Sequence, residues 1–447
     1  MTAVFTAPSR SLNAERDERW AQMLVFAGWA IALLYLPSGL LHYYLGGKVY
    51  LRDGLMGLHF GACVFHFYRT GLLGRWLRQC WWLALVPLLI LPAAADRASV
   101  VEAVTLWKWT VLWNDWIMIG TLAALTWLEP RGMVILSALT LVLLVADAAA
   151  GFHEYQTNRF LFPIKSGEKS ALGVVLGFDQ VLGGKQIRLK GLQRDVFSFA
   201  NLMAAAAVGG LAVASVTRRV AWRAAGWIWA ALFGSMLFLS GGRSAFFGVA
   251  AAAAIAIATQ VSPEYTRRWK RWAVLAWLAF GVFISLYGVS ELSDQLSALF
   301  FKHHRAGSTA SAFLRDRAWQ GLTGAIIEQP VILLCGAPVA ALMDTHVTPF
   351  YHWADNEYLW LAYHVGLPGA LAVVLFFFSA VRRESGRDIA DTVFFLYLVF
   401  IMGEGIARES LTFLGCLPLF VAAGFRFAPR LNRSQRVQSP RREEVPV

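Results

Sequence analysis

The chain alternates long apolar runs with short polar segments rich in arginine, the pattern expected of helices that face hydrocarbon on their outer sides. Runs of about 17 to 25 residues lie near 20–43, 52–69, 79–95, 108–128, 132–150, 196–216, 222–240, 243–260, 271–290, 356–381, 389–405 and 410–427. The run at 52–69 is the weakest. An all-α polytopic membrane protein with about twelve transmembrane helices follows, each run near the length that crosses roughly 30 Å of hydrocarbon. The residues before 20 are polar, and the run after them is too long for the core of a cleavable signal peptide, so 20–43 is expected to stay as the first span.

Arginine placement sets the orientation. Arg10, Arg16 and Arg19, then Arg69, Arg75 and Arg78, Arg131, Arg218 and Arg219, the segment Arg267 to Arg271, Arg382 and Arg383, and the tail from Arg426 all fall on one side. The positive-inside rule makes that side cytoplasmic and holds both termini there. The expected organisation is a cytoplasmic segment 1–19, N-terminal transmembrane helices 20–150, a basic outer loop 151–195, central helices 196–291, a large outer loop 292–355, C-terminal helices 356–427 and a basic cytoplasmic tail 428–447.

Composition agrees with this picture: of 447 residues, 57% are hydrophobic, 14% aromatic and only 15% charged. The net charge of +12 would point to nucleic acid in a soluble chain, but here much of it lies in short cytoplasmic loops, and no nucleic-acid partner is expected. Cys63, Cys80 and Cys416 lie in or beside apolar runs and Cys335 in a loop, with no C-x-x-C spacing, so neither a disulfide framework nor a zinc site is supported. The chain has no Asp-x-Asp motif, P-loop, dinucleotide fingerprint or metalloprotease histidine pair. No cofactor or metal is expected, and arginines are left as the sink for negative charge.

The two outer loops exceed ordinary loop length. The first holds Arg159, Lys165, Lys169, Lys185, Arg188, Lys190 and Arg194, on the side where basic residues are usually few. An anionic ligand accounts for them; so does the exemption of long translocated loops from the charge rule.

Four elements carry candidate chemistry. R-L-K-G-L-Q-R-D-V-F-S-F-A-N begins at Arg188 and includes Arg194; its arginines suit phosphate binding or snorkelling to headgroups at the start of a span. L-S-G-G-R-S-A places Arg243 after Gly241 and Gly242 in a short outer turn. The glycines allow close backbone approach, and a guanidinium at a helix start adds a cation where anions are already favoured. A tight hairpin with an anchoring arginine is the plainer account. F-L-R-D-R-A-W-Q-G-L-T-G-A-I-I-E-Q-P carries Arg315 and Arg317 on an expected amphipathic helix over 311–327, with Phe313, Trp319, Leu322, Ile326 and Ile327 as its apolar side. Arg315 and Arg317, two apart, cannot share one face.

The fourth is D-N-E-Y-L-W-L-A-Y-H-V-G-L-P-G, from Asp355 to Gly369, which sets a carboxylate and a carboxamide at the mouth of an apolar run. Asp355 suits a base or a helix N-cap, and the two roles are compatible. Tyr351, His352 and Tyr358 are further candidates to orient an acceptor. Within the runs, Lys108, Asp115 and Asp147 are costly to bury, and Glu404 stands four residues before Arg408. Internal pairing and a channel-lining role both account for them.

The order of these elements, with Asn356, nine residues, Gly366, two residues and Gly369, resembles the bacterial O-antigen ligase and polymerase family (Wzy-type). Arg188, two residues, Gly191; the small-residue turn ending in Arg243; and Arg315, three residues, Trp319 followed by Pro330 resemble that family's other elements. Ala200 replaces the family's usual proline, and Asp355 stands where the ligase branch usually has histidine, which fits repeat-unit polymerases better. The resemblance implies a lipid-linked-sugar glycosyltransferase (GT-C-like) bundle in a bacterial inner membrane, with its site facing the periplasm and an amphipathic helix in the large periplasmic loop.

It further implies metal-independent inverting transfer from a polyprenyl-pyrophosphate-linked glycan donor to a glycan acceptor. Asp355 and Asn356 would act at the acceptor, and Arg243, Arg188, Arg194, Arg315 and Arg317 at the pyrophosphate. Membrane lipids and polysaccharide export or chain-length proteins are the other expected partners. Ligation of finished glycan to a lipid A core or protein is the nearest alternative. A transporter or flippase would share the hydropathy, although no internal repeat is visible, and a non-catalytic scaffold stays open.

Overall fold

The computed structural model describes residues 12–35, 50–79, 132–162, 178–181, 184–187, 189–193, 196–261, 319–335 and 389–404, with isolated helical positions at 117, 121, 124, 125, 128, 269, 272, 276, 279, 366 and 367. In chain order these form α1 (Leu12–Tyr35), α2 (Tyr50–Arg69), α3 (Leu73–Gln79), α4 (Gly132–Thr157), β1 (Phe178–Val181), β2 (Gly184–Ile187), α5 (Val196–Val216), α6 (Val220–Leu239) and α7 (Arg243–Val261). A helical stretch α8 (319–328), the single turn α9 (Ile332–Cys335) and α10 (Ile389–Glu404) follow. The described chain is mostly helical.

α5 is the central element. Its sequence V-F-S-F-A-N-L-M-A-A-A-A-V-G-G-L-A-V-A-S-V is rich in alanine, the strongest helix former, and is apolar all round, so it is stable only when surrounded. It packs against α4, α6, α7 and α10, and most of its described side chains are buried. Its closest approach is to α6. A Cβ on Gly226 would meet Ala214 N at 2.7 Å and the Gly210 carbonyl oxygen at 2.8 Å. Small residues thus let two backbones touch, and dispersion contacts accumulate along the crossing. Trp229 Nε1 donates to the Ala206 carbonyl at 3.0 Å, and Gln260 Nε2 of α7 donates to the Ala214 carbonyl at 2.9 Å.

α6 buries Gly226, Ala230, Phe233, Met236 and Leu237 on one face, yet Trp222, Ile228, Leu232 and Phe238 on its other sides are exposed. Among the described residues, Ser198–Val216 and Val220–Leu239 are long and apolar enough to cross a membrane.

α1 and α2 pair around Leu24, Cys63, Phe67 and Trp76, and join the main core through Met56, Trp29 and Ile31. His59 Nε2 lies 2.7 Å from the Leu24 carbonyl and ties the two helices, while Arg69 and Asp17 form an ion pair at 3.2 Å near their polar ends.

The elements differ from the sequence expectation at three places, each for a local reason. α1 starts at Leu12, because Ala14, Glu15, Arg16, Glu18 and Arg19 are strong helix formers and extend the helix beyond the apolar run. α4 runs past the apolar limit at 150 to Thr157 and stops where Asn158 takes φ 50°, a left-handed helix terminus. The all-α expectation needs one addition: β1 and β2 form an antiparallel hairpin with Phe178 opposite Ile187 and Val181 opposite Gly184, joined by two residues as in the tightest hairpins. Of the apolar side expected around 311–327, Trp319 and Leu322 are buried, but Ile327 is 73% exposed.

Candidate functional site

The best-defined polar cluster joins the end of α4 to the turn that leads into α5. Asp147 and Glu154 lie seven residues apart, two helical turns, so both face the turn 189–193. Glu154 Oε2 accepts from the Lys190 and Gly191 amides, each at 2.9 Å, and its Oε1 accepts from the Leu161 amide at 3.0 Å. Asp147 Oδ1 accepts from the Leu192 amide at 2.6 Å and Oδ2 from Gln193 Nε2 at 2.8 Å. Both carboxylates are buried, at 2% and 0% exposure, so these donors replace the water they have lost.

Gly191 makes this arrangement possible. Its φ is +54°, and a Cβ there would strike the Asp147 side chain and come within 2.9 Å of Phe199. Consecutive amides around such a residue converge on one anion, here the Glu154 carboxylate. Lys190 is also buried, its ammonium 5.3 Å from the centre of the Phe160 ring. Burial raises the Glu154 carboxyl from its ordinary range, while the three amide donors and Lys190 pull it back down. Asp147, costly by sequence, is therefore satisfied internally by amide donors. Glu154 sits beyond the apolar run in a stretch that reads as loop, and its only sequence signal is the seven-residue interval to Asp147.

The second basic element reaches the same end of the bundle. The turn from α6 to α7 is closed by Ser240 Oγ, which donates to the Leu237 carbonyl at 2.6 Å, and by Gly241 at φ +72°. Gly242 lies against α5: a Cβ on it would come 2.7 Å from the Ala200 Cβ. Arg243 is the first residue of α7, and the Phe246 amide bonded to the Gly242 carbonyl at 2.9 Å opens that helix. Asn201 is buried within α5, one residue past the Ala200 contact. The glycine-arginine turn and the start of α5 are thus neighbours. The turn from α5 to α6, with Arg218 and Arg219, lies at the far end of α5, about 30 Å away at 1.5 Å per residue.

Arg188, Arg194, Arg315, Arg317, Tyr351, His352, Asp355, Asn356 and Tyr358 lie outside the described residues. Of the fourth element, Gly366 is described, with φ +67°, a conformation that L side chains rarely adopt and that accounts for glycine there. Among the described residues no group of three or more His, Cys, Asp or Glu is placed to hold a metal ion. No family model, curated protein or solved structure matches this chain.

Proposed function

We propose that this chain is a membrane-embedded polymerase of polyprenyl-pyrophosphate-linked repeat units, acting by inverting, metal-independent glycosyl transfer at the periplasmic face of a bacterial inner membrane, for exopolysaccharide or O-antigen-like glycan. In this reading about twelve spans enclose the site. The resemblance of the ordered elements carries it, and the approach of Gly242 to Ala200 supports it, because two elements distant in sequence meet at one end of the bundle. The exposed apolar side chains of α6 support a lipid surround, since a soluble monomer rarely shows so much apolar surface.

The roles follow from the reaction. A new bond forms between an acceptor hydroxyl oxygen and the anomeric carbon as the bond to the polyprenyl pyrophosphate breaks. Asp355 takes or orients the hydroxyl proton, and Asn356 holds the acceptor or the carboxylate. Arg243, with Arg188, Arg194, Arg315 and Arg317, neutralises the departing pyrophosphate, a charge that grows in the transition state and rewards preplaced cations.

The test is glycan output and lipid-linked intermediates, resolved by mass, in a deletion strain complemented with wild type, Asp355→Asn or Arg243→Ala at equal membrane abundance. Single repeat units on lipid should accumulate in both variants, with a loss of about 2 to 4 kcal/mol in transition-state stabilisation for Arg243→Ala, by analogy with removal of one oxyanion donor. Long lipid-linked chains would point to ligation, and unchanged output would reject a catalytic role for both residues.

A further inference from the structure

We propose that Glu154 is a positioning residue that sets the location of Arg243 through the turn 190–193 and the start of α5. This rests on the reading of Arg243 as a pyrophosphate ligand. The path is continuous. Glu154 holds the Lys190 and Gly191 amides, and Asp147 holds Leu192 and Gln193, fixing the turn that enters α5. Phe199, in the first turn of α5, packs against Gly151 and Gly191 and is fully buried, so the start of α5 is pinned between α4 and that turn. The next residue, Ala200, is the one on which Gly242 rests. Ser240 and Gly242 then define the turn from which Arg243 starts α7, through the Gly242 amide on Ser240 Oγ at 3.3 Å and the Phe246 amide on the Gly242 carbonyl.

The clasp is also placed where a mere fold anchor is least needed. α5 is already enclosed by α4, α6, α7 and α10 along its length. Two buried carboxylates at one end are an expensive way to add stability, because an apolar contact of the same volume often serves as well. What directed hydrogen bonds add is a single fixed position.

Purified full-length protein in lipid nanodiscs gives two readouts. Polyprenyl pyrophosphate and polyprenyl monophosphate serve as binding probes, and hydrogen exchange reports on the amides. Glu154→Ala should release the amides of 190–192 and of 242–246 to faster exchange while 202–214 stays protected. It should also cut the preference for pyrophosphate over monophosphate about tenfold, the worth of one charge-assisted contact. Glu154→Gln, which keeps one carbonyl oxygen for the nest of amides, should recover most of that preference, and Gly209→Ala, which meets nothing within 4 Å, should change neither readout. Unchanged exchange at 242–246, or an unchanged preference, in Glu154→Ala overturns the inference. A wild type with no preference for pyrophosphate overturns the functional reading instead, and the exchange arm still decides whether Glu154 governs the Arg243 turn.

Discussion

Asp147 and Glu154 stand two turns apart on α4 and grip opposite halves of one turn, Asp147 through Leu192 and Gln193, Glu154 through Lys190 and Gly191. The partners are amides, so shape and charge matter separately. Asp147→Asn keeps an oxygen for Leu192, and the Gln193 carboxamide can turn over to present its own oxygen; the expected cost is about 1 kcal/mol. Asp147→Leu orphans a half-buried amide and the buried Gln193 carboxamide and should cost about 3 kcal/mol. Thermal unfolding of the purified protein, followed by tryptophan fluorescence, separates them. Equal losses would show that the volume of the side chain, not its acceptor atoms, holds the turn.

Gly191→Ala meets two obstacles at once, a left-handed φ of +54° and the Asp147 side chain. The strain alone is about 1 to 3 kcal/mol. Destabilisation of at least that size is expected, with faster exchange at 190–193 as its local sign. A wild-type melting curve would mean the turn adopts another backbone path.

Gly226 and Gly234 test the α5 and α6 crossing within one helix. A Cβ on Gly226 meets backbone atoms of α5 at 2.7 and 2.8 Å, whereas one on Gly234 meets nothing within 4 Å. Gly226→Ala should destabilise by about 1 to 3 kcal/mol through overpacking. Gly234→Ala should stabilise slightly, by up to about 1 kcal/mol, because alanine is the better helix former. The same sign for both, in denaturant titrations, would contradict the close crossing.

His59 bridges α2 to α1 through the Leu24 carbonyl and also packs beside Gly28. That carbonyl lies inside a helix and has its own backbone donor, so His59→Leu should cost only about 1 kcal/mol. His59→Ala opens a void and should cost about 2 kcal/mol or more. Chemical denaturation of the two variants distinguishes loss of the hydrogen bond from loss of packing.

Helices were legible where one physical signal dominated. The apolar run 196–216 is α5 to the residue, since an alanine-rich stretch with no polar face has only one way to be stable. The end of α4 was not legible, because Gly-Phe-His-Glu-Tyr-Gln-Thr continues the helix by burying Glu154 against amides 36 residues away, and hydropathy does not register a distant partner. The hairpin escaped for a related reason: strands of four residues are too short to show periodicity. At the candidate site, Gly241 and Gly242 signalled a tight turn from their type alone, and φ +72° at Gly241 agrees. That Gly242 would rest on Ala200 was invisible, because contact between residues 42 apart is a property of the packed helices.

Glu154 receives the Leu161 amide on one oxygen and the Lys190 amide on the other. A single carboxylate thereby ties stretch 162–189 at its neck, and the length of what lies beyond the knot is decoupled from the helices beneath it. Doubling such a loop costs only about 0.6 kcal/mol in closure entropy. The segment between is accordingly free to grow, shrink or change charge, while the knot keeps the two helices it joins in register.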